Sequence, residues 1–160
     1  MSAKMQNLYD FPFLDELPED WLERLAGLGR PVTYGAGQRL FHEGERAEHF
    51  WLITEGAIGV DLPVPGRGDL LLETLSPGAV LGWSWLFPPY RWHFGAVATR
   101  TTHAIEYRGA DVLALCRENP ALGMELMQRF MGVVVQRLSA THVRLLELYG
   151  YPQDGVSAAR

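Results

Sequence analysis

The chemistry available to this chain concentrates between Gly82 and His93, where Gly82, Trp83, Ser84, Trp85, Arg91, Trp92 and His93 crowd one segment. No charged residue occurs from Thr74 to Tyr90, and Arg91 is the first to follow. Gly82 permits a tight turn, and the amides after it can face an anion. The indoles of Trp83 and Trp85 offer apolar or stacking walls, and Arg91 supplies the one nearby cation. Together they describe a pocket for a small anion with a planar or apolar body. The same residues also suit a packing loop that plugs the end of a β-barrel. Arg91 would then be a surface arginine stacked on Trp92 or Tyr90, and one of the two indoles plain core. The segment is too short, and too broken by Gly82, Pro88 and Pro89, to span a bilayer.

Other chemistry finds less support. His42, His49, His93 and His103 fall in predicted strands or turns, but no His-x-His pair occurs, and no two histidines stand four apart on a helix. Cys116 lies between Leu113, Leu115 and a helical context that reads as packing, and no glycine-elbow serine is present. No catalytic residue, metal or cofactor is therefore assigned. A cupin-like metal enzyme is the third alternative, after the two readings of the Gly82 segment.

The elements that must position this segment follow from composition and punctuation. A chain of 160 residues with a formal net charge of −5 suits one domain with a real core, and lacks the basic face of a nucleic-acid binder. One cysteine excludes an internal disulfide and fits a reducing, cytoplasmic setting. Residues 1–17 read as an irregular arm whose Leu8, Tyr9, Phe11, Phe13 and Leu14 call for cover. A short helix starts at Pro18, with Glu19 and Asp20 in its first turn and Gly27 and Gly29 at its end.

From Pro31 to Tyr107, Gly35, Gly44, Gly56, Gly66 and Gly78 punctuate short runs of β-formers, the spacing of a sandwich or barrel. The clearest strand pair is 49–54 and 57–62 around Glu55-Gly56. Phe50 to Ile53 are apolar on both faces, Pro63, Pro65 and Gly66 supply the next turn, and 69–74 the strand after it. A short helix over 111–117 precedes a long one that Asn119 caps and Pro120 opens. Along it Met127, Met131, Val134, Leu138, Thr141, Leu145 and Leu148 repeat at steps of four and three, the seam of a two-stranded coil. A second row, Leu126, Phe130, Val133 and Arg137, would face the protein's own roll. The domains are then the arm 1–17, a β-roll ligand-binding domain 18–118, the long helix 119–149 and a disordered tail within 150–160.

The run Phe41-His42-Glu43-Gly44-Glu45, then Phe50-Trp51-Leu52-Ile53, Glu55-Gly56 and Ile58-Gly59-Val60 resembles the first half of a cyclic-nucleotide-binding domain of the catabolite activator type. Leu75-Ser76-Pro77-Gly78-Ala79-Val80-Leu81-Gly82 resembles the strand and turn that lead into that family's phosphate-binding cassette. The resemblance covers residues 14–149. It implies a mainly β fold with flanking helices: a double-stranded β-helix or jelly roll, a short N-terminal helix and a long C-terminal dimerisation helix. In that family, cassette amides and an arginine hold the cyclic phosphate, and a glutamate after the glycine takes the ribose hydroxyl. This chain keeps Gly82, carries Trp83 where the glutamate belongs, and has Arg91 near the arginine's place. Tight cyclic AMP binding is therefore not expected.

The resulting expectation is a cytoplasmic regulatory module without enzymatic activity. It binds a small anionic, cyclic-nucleotide-like ligand through Gly82, Trp83, Ser84, Trp85, Arg91, Trp92 and His93. It forms a homodimer through the long helix, with a regulatory protein as a further partner. Only about ten residues follow Tyr149, too few for a helix-turn-helix module, so neither DNA binding by this chain alone nor membrane binding is expected. The alternative is an interaction scaffold that has lost its ligand.

Overall fold

The structure, a computed structural model, describes residues 8–150. The tail expected beyond Pro152 and the first part of the arm lie outside the described residues. The chain divides into two compact units, Met1–Gly123 and Met124–Arg160.

In the first unit, a 3-10 turn at Pro12–Leu14 and helix α1 (Glu19–Leu28) precede eight strands. These are β1 (Arg30–Tyr34), β2 (Arg39–Phe41), β3 (His49–Glu55), β4 (Ile58–Val64), β5 (Gly68–Leu75), β6 (Val80–Leu81), β7 (Gly95–Ala98) and β8 (Thr102–Arg108). They form two four-stranded antiparallel sheets, in the orders β1-β8-β3-β6 and β2-β7-β4-β5. Helices α2 (Gly109–Glu118) and α3 (Pro120–Leu148) follow. This is the expected jelly roll with flanking helices.

Strand periodicity explains why β3 is apolar on both faces. Trp51 and Ile53 stand beside Glu106 and Ala104 of β8 and point inward, because Trp51 meets Phe41 of the other sheet at 5.6 Å between ring centroids. Phe50 and Leu52 stand beside Tyr107 and Ile105 on the outer face. All four β3 side chains are buried, as are Ile58, Val60, Ala96 and Ala98 of the facing sheet. Burying each large aliphatic stabilises the fold by about 1.5–3 kcal/mol.

Two local expectations are corrected. Strands β3 and β4 do not pair with each other: β3 lies between β8 and β6, and β4 between β7 and β5. Gly56, at φ +91°, hands the chain from one sheet to the other, and a Cβ there would run into Thr101 and Thr102. Pro63 does not begin the turn either. The ladder continues through Pro63↔Asp69 to Val64↔Gly68, since β4 meets only β5 at that end and Pro63 sits near the hairpin tip.

Helix α1 buries Leu22, Leu25 and Ala26, and the amides of Trp21 and Leu22 donate to the carbonyl of Pro18. Gly27 is an ordinary turn of this helix. Gly29 ends it in an extended conformation, so its need is for space: a Cβ would lie 2.6 Å from Ile105 and 3.0 Å from the Tyr107 ring and hydroxyl. The arm is seated as well, with Leu8, Phe11, Leu14 and Leu17 buried. The side-chain Oδ1 of Asn119 accepts from the Leu122 amide at 3.2 Å and caps α3 as expected.

In the second unit, α3 buries Leu126 and Phe130 and leaves Met131, Leu138, Thr141, Leu145 and Leu148 exposed, with Met127 and Val134 half-buried. Arg129 pairs with Glu125 one turn earlier. The hydroxyl of Thr141 donates to the Arg137 carbonyl at 2.9 Å, which satisfies it within its own helix.

Candidate functional site

The site segment leaves β6 at Leu81 and returns at Gly95 of β7. Gly82 is buried at φ +102°, a conformation that a side chain strains. Space forbids one too: a Cβ would stand 2.9 Å from the Trp92 indole and 3.1 Å from the His49 carbonyl. After this turn comes a 3-10 turn at Ser84–Leu86. The Trp85 indole N–H donates to the Gly82 carbonyl at 3.2 Å, folding the turn back on the glycine that opens it.

The seven residues divide by environment. Trp85 is buried on the outside of the first sheet, stacked on Phe50 at 5.2 Å, and Phe50 is stacked on Tyr107 at 4.9 Å. Trp92 is buried on the other side of the cassette. It lies nearly parallel to Phe41, with centroids 3.8 Å apart and an interplanar angle of 12°, and 6.0 Å from Trp51. Trp83 is half-buried at the foot of the 3-10 turn. Ser84 is buried, and its hydroxyl lies 3.2 Å from Nδ1 of the exposed His93, so the two ends of the loop meet through a hydrogen bond. Arg91 is exposed. Its Nη1 donates to the Gly44 carbonyl at 3.0 Å, and its backbone bridges to Arg46. Phe87, Pro88, Pro89 and Tyr90, the tip between these groups, are exposed.

A model of the cyclic nucleotide-binding domain matches residues 31–119, more than half the chain and the whole of this cassette. The chain belongs to the cyclic nucleotide-binding domain family. Solved structures agree on the fold. A protein of Geobacter metallireducens GS-15 superposes with a TM-score of 0.74 at 25% identity, over 86% of this chain and 99% of that one. A cyclic nucleotide-binding domain from Methylobacillus flagellatus KT gives 0.78 at 17% identity, over 89% and 80%. The catabolite activator protein of Thermus thermophilus gives 0.71 at 21% identity, over 86% of this chain and 63% of that chain. A search of curated proteins gave no match. Among the described residues no helix is long and apolar enough to cross a membrane.

Around the cassette of this family member the structure places polar groups that sequence reasoning missed. Arg39 forms a two-pronged ion pair with Asp61, at 2.9 and 2.7 Å, with Asp69 at 3.5 Å from the same guanidinium. The hydrogen bond to Asp61 is the main reason that the Arg39 pKa is raised. Gly95 has no side chain because Asp61 and Arg39 occupy the space. The signal was present: Asp61 is a lone acid inside the apolar run 57–62. A second network joins Glu106 to Arg30, to the Trp51 indole N–H at 3.1 Å and to the Tyr34 hydroxyl. Burial first, then the Glu106 charge, raises the Tyr34 pKa. Nothing in the spacing of 34, 51 and 106 announces this network, since three strands must align before the groups meet.

Proposed function

We propose that this family member is a cytoplasmic regulatory module, not an enzyme, that senses a small anion at the Gly82–His93 cassette and works as a dimer through α3. The Ser84–His93 pair carries this reading: it sets a hydroxyl and an imidazole together at the 3-10 turn of an otherwise apolar segment. Arg91 adds a cation at the rim. One of its five donors holds Gly44, which leaves the guanidinium in place to meet an anion. Trp83 occupies the position of the ribose-binding glutamate, so a ribose hydroxyl would lose its acceptor at about 1–3 kcal/mol. Cyclic AMP and cyclic GMP should accordingly bind only in the high micromolar range or more weakly. Pairing of two copies through α3 would cover the exposed stripe Met131, Leu138, Leu145 and Leu148.

One observation favours a second reading. Trp92 packs on Phe41 at van der Waals distance and covers Gly82, so protein side chains fill the space beside the cassette. A roll plugged in this way suits an interaction scaffold. Calorimetry with cyclic AMP, and a thermal-shift screen of anionic metabolites on wild type, Arg91→Ala and His93→Ala, separate the two. A compound that stabilises wild type and loses its effect in both variants supports the sensor. Submicromolar cyclic AMP binding would show that Trp83 has been misread. A screen in which no compound shifts wild type more than the variants leaves the scaffold.

A further inference from the structure

The outer tip of the cassette loop, wholly within the first unit, is an exposed apolar surface. Phe87 and Tyr90 are 56% and 46% exposed, and Pro88 and Pro89 between them are exposed too. The Tyr90 amide donates to the Phe87 carbonyl at 2.8 Å, a turn that brings the two ends of the tip together. Single apolar residues scattered over a surface are ordinary, but a contiguous run of this kind marks a contact surface.

The backbone adds weight. Tyr90 stands at φ +57°, and eight of the ten described residues with positive φ are glycine, which holds that conformation without strain. Position 90 serves the fold through its backbone, since its carbonyl also accepts from the Ala47 amide at 2.8 Å. The ring, half in solvent, returns little burial for the strain that it imposes. A bulky side chain kept there points to a contact outside the chain.

Charge is a separate observation. The Trp92 amide donates to the Glu45 carbonyl at 2.9 Å, and the Ala47 amide to Tyr90, so Arg46 and Arg91 form a directly opposed antiparallel pair. Both hydrogen bonds flank the pair, which places its two side chains on one face at close range. Like charges set opposite each other are destabilising. Arg46 Nε turns to Glu48 at 3.1 Å and Arg91 Nη1 to the Gly44 carbonyl at 3.0 Å, two residues from Arg46 on opposite sides. Each guanidinium keeps further donors for an outside acceptor.

We propose that this tip docks a partner protein through a short acidic segment, with two carboxylates on Arg46 and Arg91 and adjoining aliphatic side chains on Phe87 and Tyr90. The order follows from the loop, in which Tyr90 and Arg91 are consecutive. A nucleic acid fits less well, because Glu43, Glu45 and Glu48 flank Arg46 in the chain and the net charge is −5. Arg91 is shared with the ligand reading of the cassette, but Arg46, Phe87 and Tyr90 play no part in that reading, so the two fail separately.

The test is titration of the full chain with the peptide acetyl-Glu-Glu-Leu-Leu-amide, read by amide chemical shifts. Two further peptides, one with glutamine for glutamate and one with serine for leucine, serve as comparisons. The expected result is saturable binding with shifts centred on residues 44–48 and 87–92. The glutamine peptide should bind about tenfold more weakly, and Arg46→Gln should impose a similar loss on the acidic peptide alone. The serine peptide should also bind more weakly. Tyr90→Gly should weaken the acidic peptide while leaving Tm equal to or above that of wild type, because glycine relieves the strained φ. A merely structural ring would instead give a lower Tm. No saturable binding, shifts centred elsewhere, or a fall in Tm for Tyr90→Gly would overturn the proposal. So would tighter binding of a short oligothymidylate than of the peptide, or loss of self-association in Tyr90→Gly, which would make the occupant a second copy. Binding that Arg91→Ala abolishes and Arg46→Gln leaves unchanged would return the anion to the cassette and remove the docking surface.

Discussion

Replacing Gly82 with alanine tests how tightly the cassette is built against Trp92. Two penalties arise, and the structure separates them. Holding an alanine at φ +102° costs about 1–2 kcal/mol, because its Cβ crowds its own backbone. The new methyl carbon would also stand 2.9 Å from the Trp92 ring and 3.1 Å from the His49 carbonyl. The carbonyl belongs to β3 and cannot retreat, and Trp92 is clamped on Phe41. Overpacking of this kind adds about 1–3 kcal/mol. Gly82→Ala should therefore lose about 2–5 kcal/mol, roughly 5–15 °C in Tm for a chain of this size. Gly37→Ala supplies the control, since Gly37 has a similar φ of +85° and nothing within 4 Å of a Cβ. It should lose only the backbone share, about 1–2 kcal/mol. Urea unfolding of both variants and wild type in one buffer gives the comparison. Equal losses would mean that Trp92 yields freely, and the account of a rigid, self-filled cassette would be refuted.

Asp61→Ala strands Arg39 beside Asp69 alone and should lower stability by about 2–3 kcal/mol, with Asp61→Asn intermediate, as read by urea midpoints. A neutral effect of Asp61→Ala would show that solvent already carries the Arg39 charge. Leu138→Asp would set a carboxylate in the proposed α3 seam and should yield monomers by sedimentation. Wild type that is itself monomeric at micromolar concentration would remove the seam. The Glu45 carboxyl is held below its ordinary value, chiefly by the His42 amide and then by the His42 ring. A depressed carboxylate pKa contributes stability that is complete above the unfolded value, 4.5, and is lost as pH falls through the folded value. Glu45→Gln should therefore flatten the acid limb of the stability–pH curve below that point. An unchanged limb would mean that the His42–Glu45 turn does not persist in solution.

How much of this was legible in the chain depends on the range of each interaction. The helix start at Pro18, the Asn119 cap, the turns at Gly44, Gly56, Gly66 and Gly78 and the 3-10 turn after Gly82 are all local. Each rests on backbone conformations or hydrogen bonds spanning a few residues, so residue type and spacing determine them. The double-sided burial of Phe50 to Ile53 was also visible, because the side-chain period of a strand is fixed. The family could be identified on the same footing, from glycine spacing along one run.

Partner choice between strands was not visible. That β3 joins β8 and β6 while β4 joins β7 and β5 depends on which apolar faces meet across the roll, a matter of contacts far apart in sequence. The site followed the same division. The sequence brought Gly82, Trp83, Ser84, Trp85, Arg91, Trp92 and His93 into one short segment, but every feature of their use needed the fold. Only the return of the chain to β7 sets His93 against Ser84, lays Trp92 on Phe41 and turns Arg91 to Gly44. Likewise, Asp61 was conspicuous as a lone acid in an apolar strand, but its partner Arg39 comes from another strand.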